Sequence, residues 1–407
     1  MTNYGKWLSI IGITEEGLES LSPVARFLLQ QAEVIAGGRR HLEFLSPEDT
    51  RKKIVLQSPL ENSLQEIETY RGKAVCVLAS GDPMWYGIGV TLCRRFPLQE
   101  ITIIPSPSVF SLACARLGWS LSEVETVSLC GRNFALLHRF LYPQARLLIL
   151  SANGQTPLQV ASLLTQKGYG NSEMVVLECL GGKRERIVKG IACQWHHADL
   201  ADLNTIAVVC HPDSPATPIL NPRIPGLPDE AYLNDGQLTK REIRAITLST
   251  LSPLPYQLLW DVGAGCGSIS IEWLRSDSRC KAIAIEKHPQ RLQYIADNAI
   301  ALGTPHLQII AGSAPEALHN LPSPDAIFIG GGITTPQLVE TCWQFLKPGG
   351  KLVANTVTVE GEAILYRCLR KWGGNLIRLA IQKATPLGKF FSWKPMTPVT
   401  QYVVVKP

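Results

Sequence analysis

The sequence predicts a two-domain α/β protein, and three observations carry this prediction. Short apolar and β-branched runs alternate with amphipathic helical patterns, which is typical of sheets whose strands are joined by helices. A chain of 407 residues is longer than one ordinary domain. The alternation is interrupted at residues 211–228, where six prolines fall within eighteen residues. Because neither a helix nor a strand can run through that segment, it separates two α/β domains.

The proline-rich segment sets the predicted domain boundaries. We expect a first domain over residues 1–212, a linker over residues 213–230 and a second domain over residues 231–407. An extended loop within one domain is the alternative, although each flank has its own complete series of strands and helices. Hydrophobic residues make up 45% of the chain and charged residues 18%, so each part can bury a core and intrinsic disorder is excluded.

The first domain opens with the strand WLSII at residues 7–11, and a helix then runs from Ser22-Pro23 to about Val34. Serine can cap this helix, and proline suits its first position because the N–H that proline lacks would be unpaired there. Further strands are predicted at residues 74–80, 101–105, 124–129, 146–151, 174–178 and 205–210. Helices between successive strands favour a parallel arrangement.

The second domain alternates more regularly, beginning with a helix from Thr239. The elements that follow are predicted to be strand LLWDVG, helix SISIEWLR, strand AIAIEK, helix PQRLQYIADNAIALG, strand LQIIAG, helix APEALHNL, strand AIFIGGG, helix QLVETCWQFL, strand KLVANTV and a helix near Glu362 to Trp372. The remaining stretches LIRLAIQKA and VTQYVVVK have only strand character. We therefore expect a doubly wound, Rossmann-like sheet that ends in an antiparallel hairpin.

The stretch WDVGAGCGSISIEW carries the strongest functional signal. A strand ends in Asp261, glycines follow at positions 263, 265 and 267, and a helix begins near Ser268. Alternate glycines let the backbone turn sharply and approach a ligand, to which the helix start offers free N–H groups. The spacing is not the G-x-G-x-x-G of dinucleotide-binding loops. It resembles the S-adenosylmethionine loop of Rossmann-like methyltransferases, with NAD as the alternative ligand.

The ends of the next two strands support a nucleotide-like cofactor. The first ends in Glu286, nineteen residues past Gly267, where a carboxylate can accept hydrogen bonds from both ribose hydroxyls. After the second, the small residues Gly312, Ser313 and Ala314 leave room for an adenine ring. A glycine-rich turn beside a surface glutamate is the alternative interpretation.

The second domain also resembles the CbiT family, the precorrin methyltransferases and decarboxylases of cobalamin synthesis. The resemblance runs from about Asp235 to the end, through TKREIRA, LWDVGAGCGSISIEW, AIEKHPQRL, APEAL, DAIFIGGG and LKPGGKLVANTVT. It implies that the methyl donor contacts Thr239, Gly263, Ala264, Gly265, Cys266, Gly267, Glu286 and Ala314. Cys266 stands where relatives often have serine or threonine, which is a small-for-small change.

In the first domain, ASGDPMWYGIG follows a clear strand. Gly81-Asp82-Pro83 makes a tight turn, and Gly87 and Gly89 open the next helix, so backbone groups are exposed where ligands bind in open α/β sheets. An ordinary strand-to-helix loop with a capping aspartate would give the same pattern.

Together with IIGIT and PSPSVFSLACARLGW, this motif resembles the tetrapyrrole methylase class and specifically its CbiE family. The resemblance implies a fold of two α/β halves with the methyl donor between them, contacted by Gly12, Gly81, Asp82 and Ser108. The chain departs from that family in reading GITEEG where relatives usually have G-x-G-P-G, so only Gly12 is carried over there.

Candidate substrate-binding residues are cations, and no catalytic residue is assigned. AGGRRHLEFL also resembles the CbiE family, and Arg39 and Arg40 could bind carboxylates as forked donors. In the second domain the candidates are Lys240, Arg241, Lys383 and Lys389. Ordinary solvated surface cations are the alternative for each of them.

A CbiE-like domain fused to a CbiT-like domain resembles the CobL family. This resemblance implies a bifunctional enzyme that methylates carbons 5 and 15 of precorrin-6Y, decarboxylates its ring acetate and has two S-adenosylmethionine sites per chain. It also implies a homo-oligomer. A methyltransferase acting on nucleic acid is the main alternative, but the residues after DAIFIGGG form no base-flipping motif. A binding module that has lost its chemistry is the other.

Bulk properties fit a cytoplasmic enzyme that acts on a small molecule. The formal net charge of +5 is too mild for a dedicated nucleic-acid binder. Eleven scattered cysteines without C-x-x-C spacing argue against a metal cage or a disulfide framework. The N-terminus has no secretory signal, and no apolar run approaches the roughly 18 residues of a membrane span, so we expect no membrane partner.

Overall fold

The computed structural model describes residues 6–214 and 222–407, which form two compact units. The first unit lies within Met1–Arg132 and Tyr142–Ile219, and the second lies within Asn133–Leu141 and Leu220–Pro407. The segment Asn133–Leu141 therefore belongs to the second unit, although its neighbours in sequence belong to the first. Residues 215–221 of the predicted linker lie outside the described residues.

The first unit contains two five-stranded sheets. One sheet has the strand order β3-β2-β4-β1-β5, with every neighbouring pair parallel. Its strands are β1 (Leu8–Ile13), β2 (Val34–Gly37), β3 (Lys52–Val55), β4 (Val75–Ser80) and β5 (Ile101–Ile104). The helices in this part of the chain are α1 (Pro23–Gln31), α2 (Arg39–Leu42), α3 (Leu60–Glu68), α4 (Ile88–Arg95) and α5 (Val109–Leu117).

The second sheet of this unit is mixed, in the order β6-β7-β10-β8-β9. Its elements are β6 (Glu125–Ser128), β7 (Arg146–Leu150), α6 (Thr156–Gln166), β8 (Glu173–Glu178), β9 (Arg186–Ile191) and β10 (Asn204–Val209). Only the β6/β7 pair is parallel, since β10 runs antiparallel to β7 and β8, and β8 antiparallel to β9.

The second unit is built on a seven-stranded sheet in the order β13-β12-β11-β14-β15-β19-β16. The strands are β11 (Leu258–Val262), β12 (Lys281–Glu286), β13 (Gln308–Ala311), β14 (Ala326–Ile329), β15 (Lys351–Thr356), β16 (Asn375–Leu379) and β19 (Val399–Val405). The helices are α7 (Arg241–Leu251), α8 (Ser268–Ser276), α9 (Pro289–Ala301), α10 (Leu338–Phe345) and α11 (Val359–Trp372). The first five strands of this order are parallel, β19 is antiparallel to β15, and β16 is antiparallel to β19.

Between β16 and β19 the chain forms a separate two-stranded antiparallel hairpin, β17 (Gln382–Leu387) and β18 (Phe390–Pro395). The predicted strand-like stretch LIRLAIQKA covers only the first residues of β17, and the rest of the hairpin was not predicted. Almost all of its side chains are exposed, so no apolar alternation marks a buried face.

The predicted fold class is confirmed, with local differences. Ser22 caps the start of helix α1 as predicted. The helix ends at Gln31 and not near Val34, because Val34 already belongs to the buried strand β2. Helix α7 begins at Arg241, so Thr239 precedes the helix instead of opening it. The second sheet of the first unit is not parallel throughout, because β8, β9 and β10 are joined without intervening α-helices.

The end of the predicted linker is fixed to the second unit. Both carboxylate oxygens of the buried Glu272 accept backbone hydrogen bonds, from Gly226 N at 2.6 Å and Leu227 N at 3.1 Å. Glu272 also accepts from Arg244 Nε at 2.6 Å and from the Tyr232 hydroxyl at 2.8 Å. The residues after Pro225 therefore belong to the folded second unit.

Candidate active sites

The second unit has a cavity of about 660 Å³ at the carboxyl ends of β11, β14 and β15. This is the edge at which open α/β sheets bind ligands, and the volume suits a nucleotide-sized molecule together with part of an acceptor. Of the predicted donor-site residues, the cavity lining includes Thr239, Gly263, Ala264 and Gly265.

The glycine loop needs glycine for two different reasons. Gly263, Gly265 and Gly267 all have positive φ, at 68°, 61° and 81°, which side chains rarely adopt. They are also packed closely, because a Cβ on Gly263 would lie 2.9 Å from Gly331 N and one on Gly267 would lie 3.1 Å from the Ile295 side chain. A Cβ on Gly265 would lie 3.1 Å from Gln237 O at the cavity wall.

The surroundings of Gly331 show whether the cavity lining leaves room for a ligand. Its φ is not positive, and the nearest atoms to an added Cβ, in Gly263, are 3.8 Å away, so neither backbone strain nor packing requires glycine. A side chain there would enter the cavity. The residues present therefore leave room for a ligand beside the glycine loop, and they fit a methyl donor held there.

Glu286 lies at the end of β12 and is buried. Its Oε2 accepts a hydrogen bond from Gly265 N at 2.9 Å, and its Oε1 accepts from Lys287 N and His288 N at 2.9 and 3.0 Å. The carboxylate thus fixes the glycine loop to the neighbouring strand end, and it is not part of the cavity lining.

Asp261 lies beneath the loop and is fully buried. Its Oδ2 accepts hydrogen bonds from Ser270 N at 3.0 Å and from the Ser270 hydroxyl at 2.6 Å, while Oδ1 has no hydrogen-bond partner. Burial raises the pKa of Asp261 to about 6, with a smaller contribution from the charge of Glu286.

Besides Asp261 and Glu286, the residues singled out in the sequence of this unit that lie outside the cavity lining are Arg241, Cys266, Gly267, Gly312, Ser313, Ala314 and Lys389. Cys266 is buried in the core, where burial raises the pKa of its thiol to about 11, so it acts as a small apolar side chain. Ala314 packs against the core on the other face of the sheet. Lys389 is exposed in the turn between β17 and β18.

The charged side chains that line the cavity are all cations: Lys240, Arg291, Lys383 and Lys394. Three of them pair with carboxylates outside the lining, since Lys240 lies 3.9 Å from Asp229, Arg291 2.9 Å from Asp235 and Lys383 3.0 Å from Glu242.

Within residues 6–214 and 222–407, Lys394 has no carboxylate partner. A lining that is rich in cations and has no carboxylate favours an anionic ligand.

The first unit has a cavity of about 490 Å³ between its two sheets. Gly81, Asp82 and Ser108 line it. Asp82 Oδ1 accepts a hydrogen bond from Met84 N at 2.9 Å and shapes the turn, while the Ser108 hydroxyl accepts from Ser111 N at 3.1 Å and caps α5. Both side chains therefore hold the backbone that surrounds the cavity.

Gly12 lies inside β1 and not in a loop. A Cβ on Gly12 would lie 1.9 Å from Gly81 O and 2.6 Å from Ser106 N. The Ser106 hydroxyl donates to Gly12 O at 2.8 Å. Gly12 is thus the point at which the Gly81 turn and the loop after β5 approach the strand, which places it behind the cavity and not in its lining.

The two arginines of α2 differ in environment. Arg39 is exposed, whereas Arg40 lines a smaller adjoining cavity of about 70 Å³ and donates to the Ser80 hydroxyl at 2.9 Å. Arg40 also lies 3.3 Å from Glu15. Beside it, burial lowers the pKa of His41 to about 4, so this imidazole is neutral at physiological pH.

Some cavity residues were missed by the sequence analysis. In the first unit these are Trp85, Tyr86 and Arg132, with the Arg132 guanidinium 4.7 Å from the Tyr86 ring centroid. In the second unit they include Arg291, Asn355 and Lys394. Trp85, Tyr86 and Asn355 lie within or beside the quoted motifs, where their position at a strand end was the available signal. Lys394 had no such signal.

Comparison with known proteins matches both units. Residues 8–192 match the family of Tetrapyrrole (Corrin/Porphyrin) Methylases, and residues 230–406 match a Precorrin methyltransferase domain. A Precorrin-6Y C(5,15)-methyltransferase [decarboxylating] from Sinorhizobium sp is 45% identical over 396 residues, which cover 97% of this chain and 95% of that protein. The chain belongs to this family.

Two further proteins are similar to this chain. A Precorrin-6Y C(5,15)-methyltransferase [decarboxylating] from Mycobacterium tuberculosis is 40% identical over 98% of this chain and 99% of its own length. A crystal structure of the C-terminal domain of the precorrin-6Y C5,15-methyltransferase from Rhodobacter capsulatus is 40% identical over 46% of this chain and all of that chain, with a TM-score of 0.44.

Membership of the precorrin-6Y C(5,15)-methyltransferase family makes the chain a methyltransferase whose methyl donor is S-adenosylmethionine. None of these matches is named for a nucleic-acid substrate, so the alternative acceptor has no support from the comparisons. Among the described residues, no helix has the length and apolar character to cross a membrane.

Proposed function

We propose that the chain binds two molecules of S-adenosylmethionine, one in each unit, and that the units perform different parts of the reaction. The first unit methylates carbon 5 of precorrin-6Y, and the second methylates carbon 15 and releases carbon dioxide from the ring acetate. The observation that carries this proposal is the presence of two separate strand-end cavities, each beside its own glycine turn.

In the second unit, the protein's part is to align the reacting atoms. S-adenosylmethionine supplies a methyl group already activated by its sulfonium. The glycine loop and the segment Gly236–Lys240 enclose the donor end of the cavity, and the cations of the lining hold the carboxylates of the acceptor. Fixing both partners in line contributes up to roughly 7 to 11 kcal/mol of the barrier reduction through proximity and orientation.

Decarboxylation fits the same cavity. The bond between the acetate methylene and its carboxyl carbon breaks, carbon dioxide leaves, and the electron pair passes into the conjugated macrocycle before the methylene carbon takes up a proton. Because the ring is its own electron sink, the chain's part is to orient this side chain. No acid for the final protonation is assigned.

In the first unit, the cavity combines an aromatic wall with one guanidinium. Trp85 and Tyr86 are about half exposed and form edge-to-face contacts with Phe110, so they present apolar surface to a flat ring. Arg132 lies over Tyr86 and can pair with an acceptor carboxylate. The neutral His41 imidazole lies 3.0 Å from the Ser80 hydroxyl at the same strand end.

Calorimetric titration of the full chain with S-adenosylhomocysteine tests the two-site proposal. The wild type should bind two equivalents. Gly265→Val should bind one, because valine resists a φ of 61° and its side chain occupies the wall shared with Gln237. A single site in the wild type, or two sites in the variant, would overturn the proposal.

Product mass spectrometry with precorrin-6Y tests the division of roles. Gly265→Val should lose one methyl transfer together with carbon dioxide release. Asp82→Ala loosens the turn beside the first cavity and should impair the other methyl transfer while decarboxylation continues. Decarboxylation by Gly265→Val but not by Asp82→Ala would reverse the assignment of roles.

We also propose a cytoplasmic homo-oligomer. The support is the resemblance of both units to families whose members associate. Light scattering at micromolar concentration should give a mass above that of one chain, and a strictly monomeric mass would contradict it.

A further inference from the structure

The hairpin β17–β18 supplies part of the second unit's cavity wall. Lys383 and Thr385 of β17 and Lys394 and Pro395 of β18 line the cavity, and all of these except the terminal Pro395 share one face. The register pairs Lys383 with Lys394 and Thr385 with Ser392. Since side chains alternate between the two faces of a strand, these residues define the face of the hairpin that is directed to the cavity.

The same alternation assigns the exposed apolar residues to faces. Leu387 and Phe390 are paired and lie on the cavity-directed face, beyond the lysines, and they are 65% and 78% exposed. Phe391 and Trp393 lie on the opposite face and are 74% and 69% exposed. The cavity-directed face is thus cationic where it lines the cavity and apolar toward the hairpin turn.

The charge of this face does not match the methyl donor. S-adenosylmethionine carries a sulfonium and an ammonium group against one carboxylate, so additional cations would repel it. Lys394, which has no carboxylate partner within the described ranges, instead suits a second ligand that brings several carboxylates. Lys383, which pairs with Glu242, lies opposite Lys394 in the hairpin and can turn part of its charge to the same ligand. The apolar end of the face suits a broad, flat, apolar body on the same ligand.

We propose that this face of the hairpin, formed by Lys383, Leu387, Phe390 and Lys394, binds the tetrapyrrole acceptor of the second unit. The lysines pair with its carboxylates while Leu387 and Phe390 pack against the macrocycle. This inference rests on the proposed function, since it takes the acceptor to be a polycarboxylate ring.

Adjacent phenylalanines provide a matched test in the full chain. Phe390→Ser and Phe391→Ser remove equally exposed rings from opposite faces. Phe390→Ser should raise the KM for precorrin-6Y in the decarboxylating step about tenfold, as expected for losing an apolar contact of roughly 1.5 kcal/mol. Phe391→Ser should leave that KM within about twofold of wild type. Equal effects of the two variants would overturn the proposal.

The double variant Lys383→Ala/Lys394→Ala tests the contribution of the two lysine charges to acceptor binding. This double variant should raise the acceptor KM about tenfold or more and reduce its dependence on salt, while S-adenosylhomocysteine affinity stays as in wild type. The exposed Arg370 of α11 lies outside the cavity lining, so Arg370→Ala is the control for a general loss of positive charge. An unchanged acceptor KM in the double variant, or a parallel loss of donor affinity, would count against acceptor binding by this face.

Two further outcomes separate this inference from its alternatives. If the wild type itself does not methylate or decarboxylate precorrin-6Y, the proposed function fails, and with it the acceptor assumed here. If the wild type is active but Phe390→Ser lowers the mass of the assembly in sedimentation velocity without changing the acceptor KM, the face binds a second copy of the chain. That result would overturn the proposal while leaving the function in place.

Discussion

Asp261 illustrates how a single buried carboxyl group makes stability depend on pH. Its folded-state pKa of about 6 lies above the ordinary value of 3.8, chiefly because of burial. The folded state therefore binds the proton more tightly than the unfolded chain does, and the contribution of Asp261 to stability falls as pH rises from about 4 to about 6. Above that range the cost of the buried charge is about 3 kcal/mol, since each pKa unit is worth about 1.4 kcal/mol.

Replacing Asp261 with asparagine should remove this cost. The asparagine oxygen can still accept both hydrogen bonds from Ser270, and the side chain cannot ionise. We expect Asp261→Asn to unfold at a higher temperature than wild type at pH 8 and at nearly the same temperature at pH 4. Thermal melts at several pH values measure the difference.

Asp277 is a control for this experiment, because its pKa is shifted in the opposite direction to that of Asp261. Its pKa is lowered to about 2, first by the hydrogen bond from Arg279, so its ionised form stabilises the fold. Asp277→Asn should therefore lower the melting temperature at pH 8, with the loss shrinking as pH falls below about 4. A destabilised Asp261→Asn at pH 8 would refute the account given for Asp261.

At the scale of elements, helix α9 connects the glycine loop to the segment before α7. The buried Asn298 of α9 accepts a hydrogen bond from Leu233 N at 2.8 Å and donates to Leu233 O at 2.9 Å and Cys266 O at 3.0 Å. Arg291 of the same helix pairs with Asp235. The glycine loop and the segment before α7, which both line the cavity, are therefore held by one helix.

We expect Asn298→Asp to weaken donor binding selectively. The new carboxylate has no N–H to donate and would lie against the Leu233 and Cys266 carbonyl oxygens, so the two walls should separate. The KM for S-adenosylmethionine in the methyl transfer proposed for the second unit should rise about tenfold, while kcat at saturating donor changes less.

Thr304→Val is the matched control for Asn298→Asp. Thr304 follows α9 and is fully buried, and its hydroxyl lies 3.4 Å from Ala299 O, away from the cavity lining. Its loss should lower the melting temperature and leave the donor KM unchanged. If both variants change the donor KM equally, Asn298 has only a structural role.

At the scale of the whole molecule, the second unit is completed by a segment from far earlier in the chain. His138 Nδ1 lies 2.9 Å from Ala301 O, and a Cβ on Gly303 would lie 2.9 Å from Arg139 N. Arg139 is itself buried. A fragment of residues 222–407 keeps the seven-stranded sheet but lacks this segment.

We expect the fragment 222–407 to fold and to gain stability from the missing segment. A synthetic peptide of residues 131–143 should raise its melting temperature, because the peptide restores the contacts at Ala301 and Gly303 and binds only the folded state. A peptide of the same composition in scrambled order should have no effect. Equal effects of the two peptides would show that Asn133–Leu141 is not an integral part of the second unit.

The sequence by itself determined the features that depend on neighbouring residues. Alternating strands and helices, the strand ends that carry Gly81 and Gly263, and the helix cap at Ser22 follow from periodicity, backbone freedom and local hydrogen bonding. The two-domain α/β class followed from the same local signals and from the prolines, and the family resemblance added the chemistry.

Tertiary structure alone decided which distant residues share a site. Lys394 enters the cavity because a hairpin between β16 and β19 places it there, and Asn133–Leu141 joins the second unit through contacts more than 130 residues away in sequence. Likewise, Glu286 bonds the glycine loop instead of lining the cavity. Such contacts depend on how whole elements pair and pack, and that information lies in no local stretch of the chain.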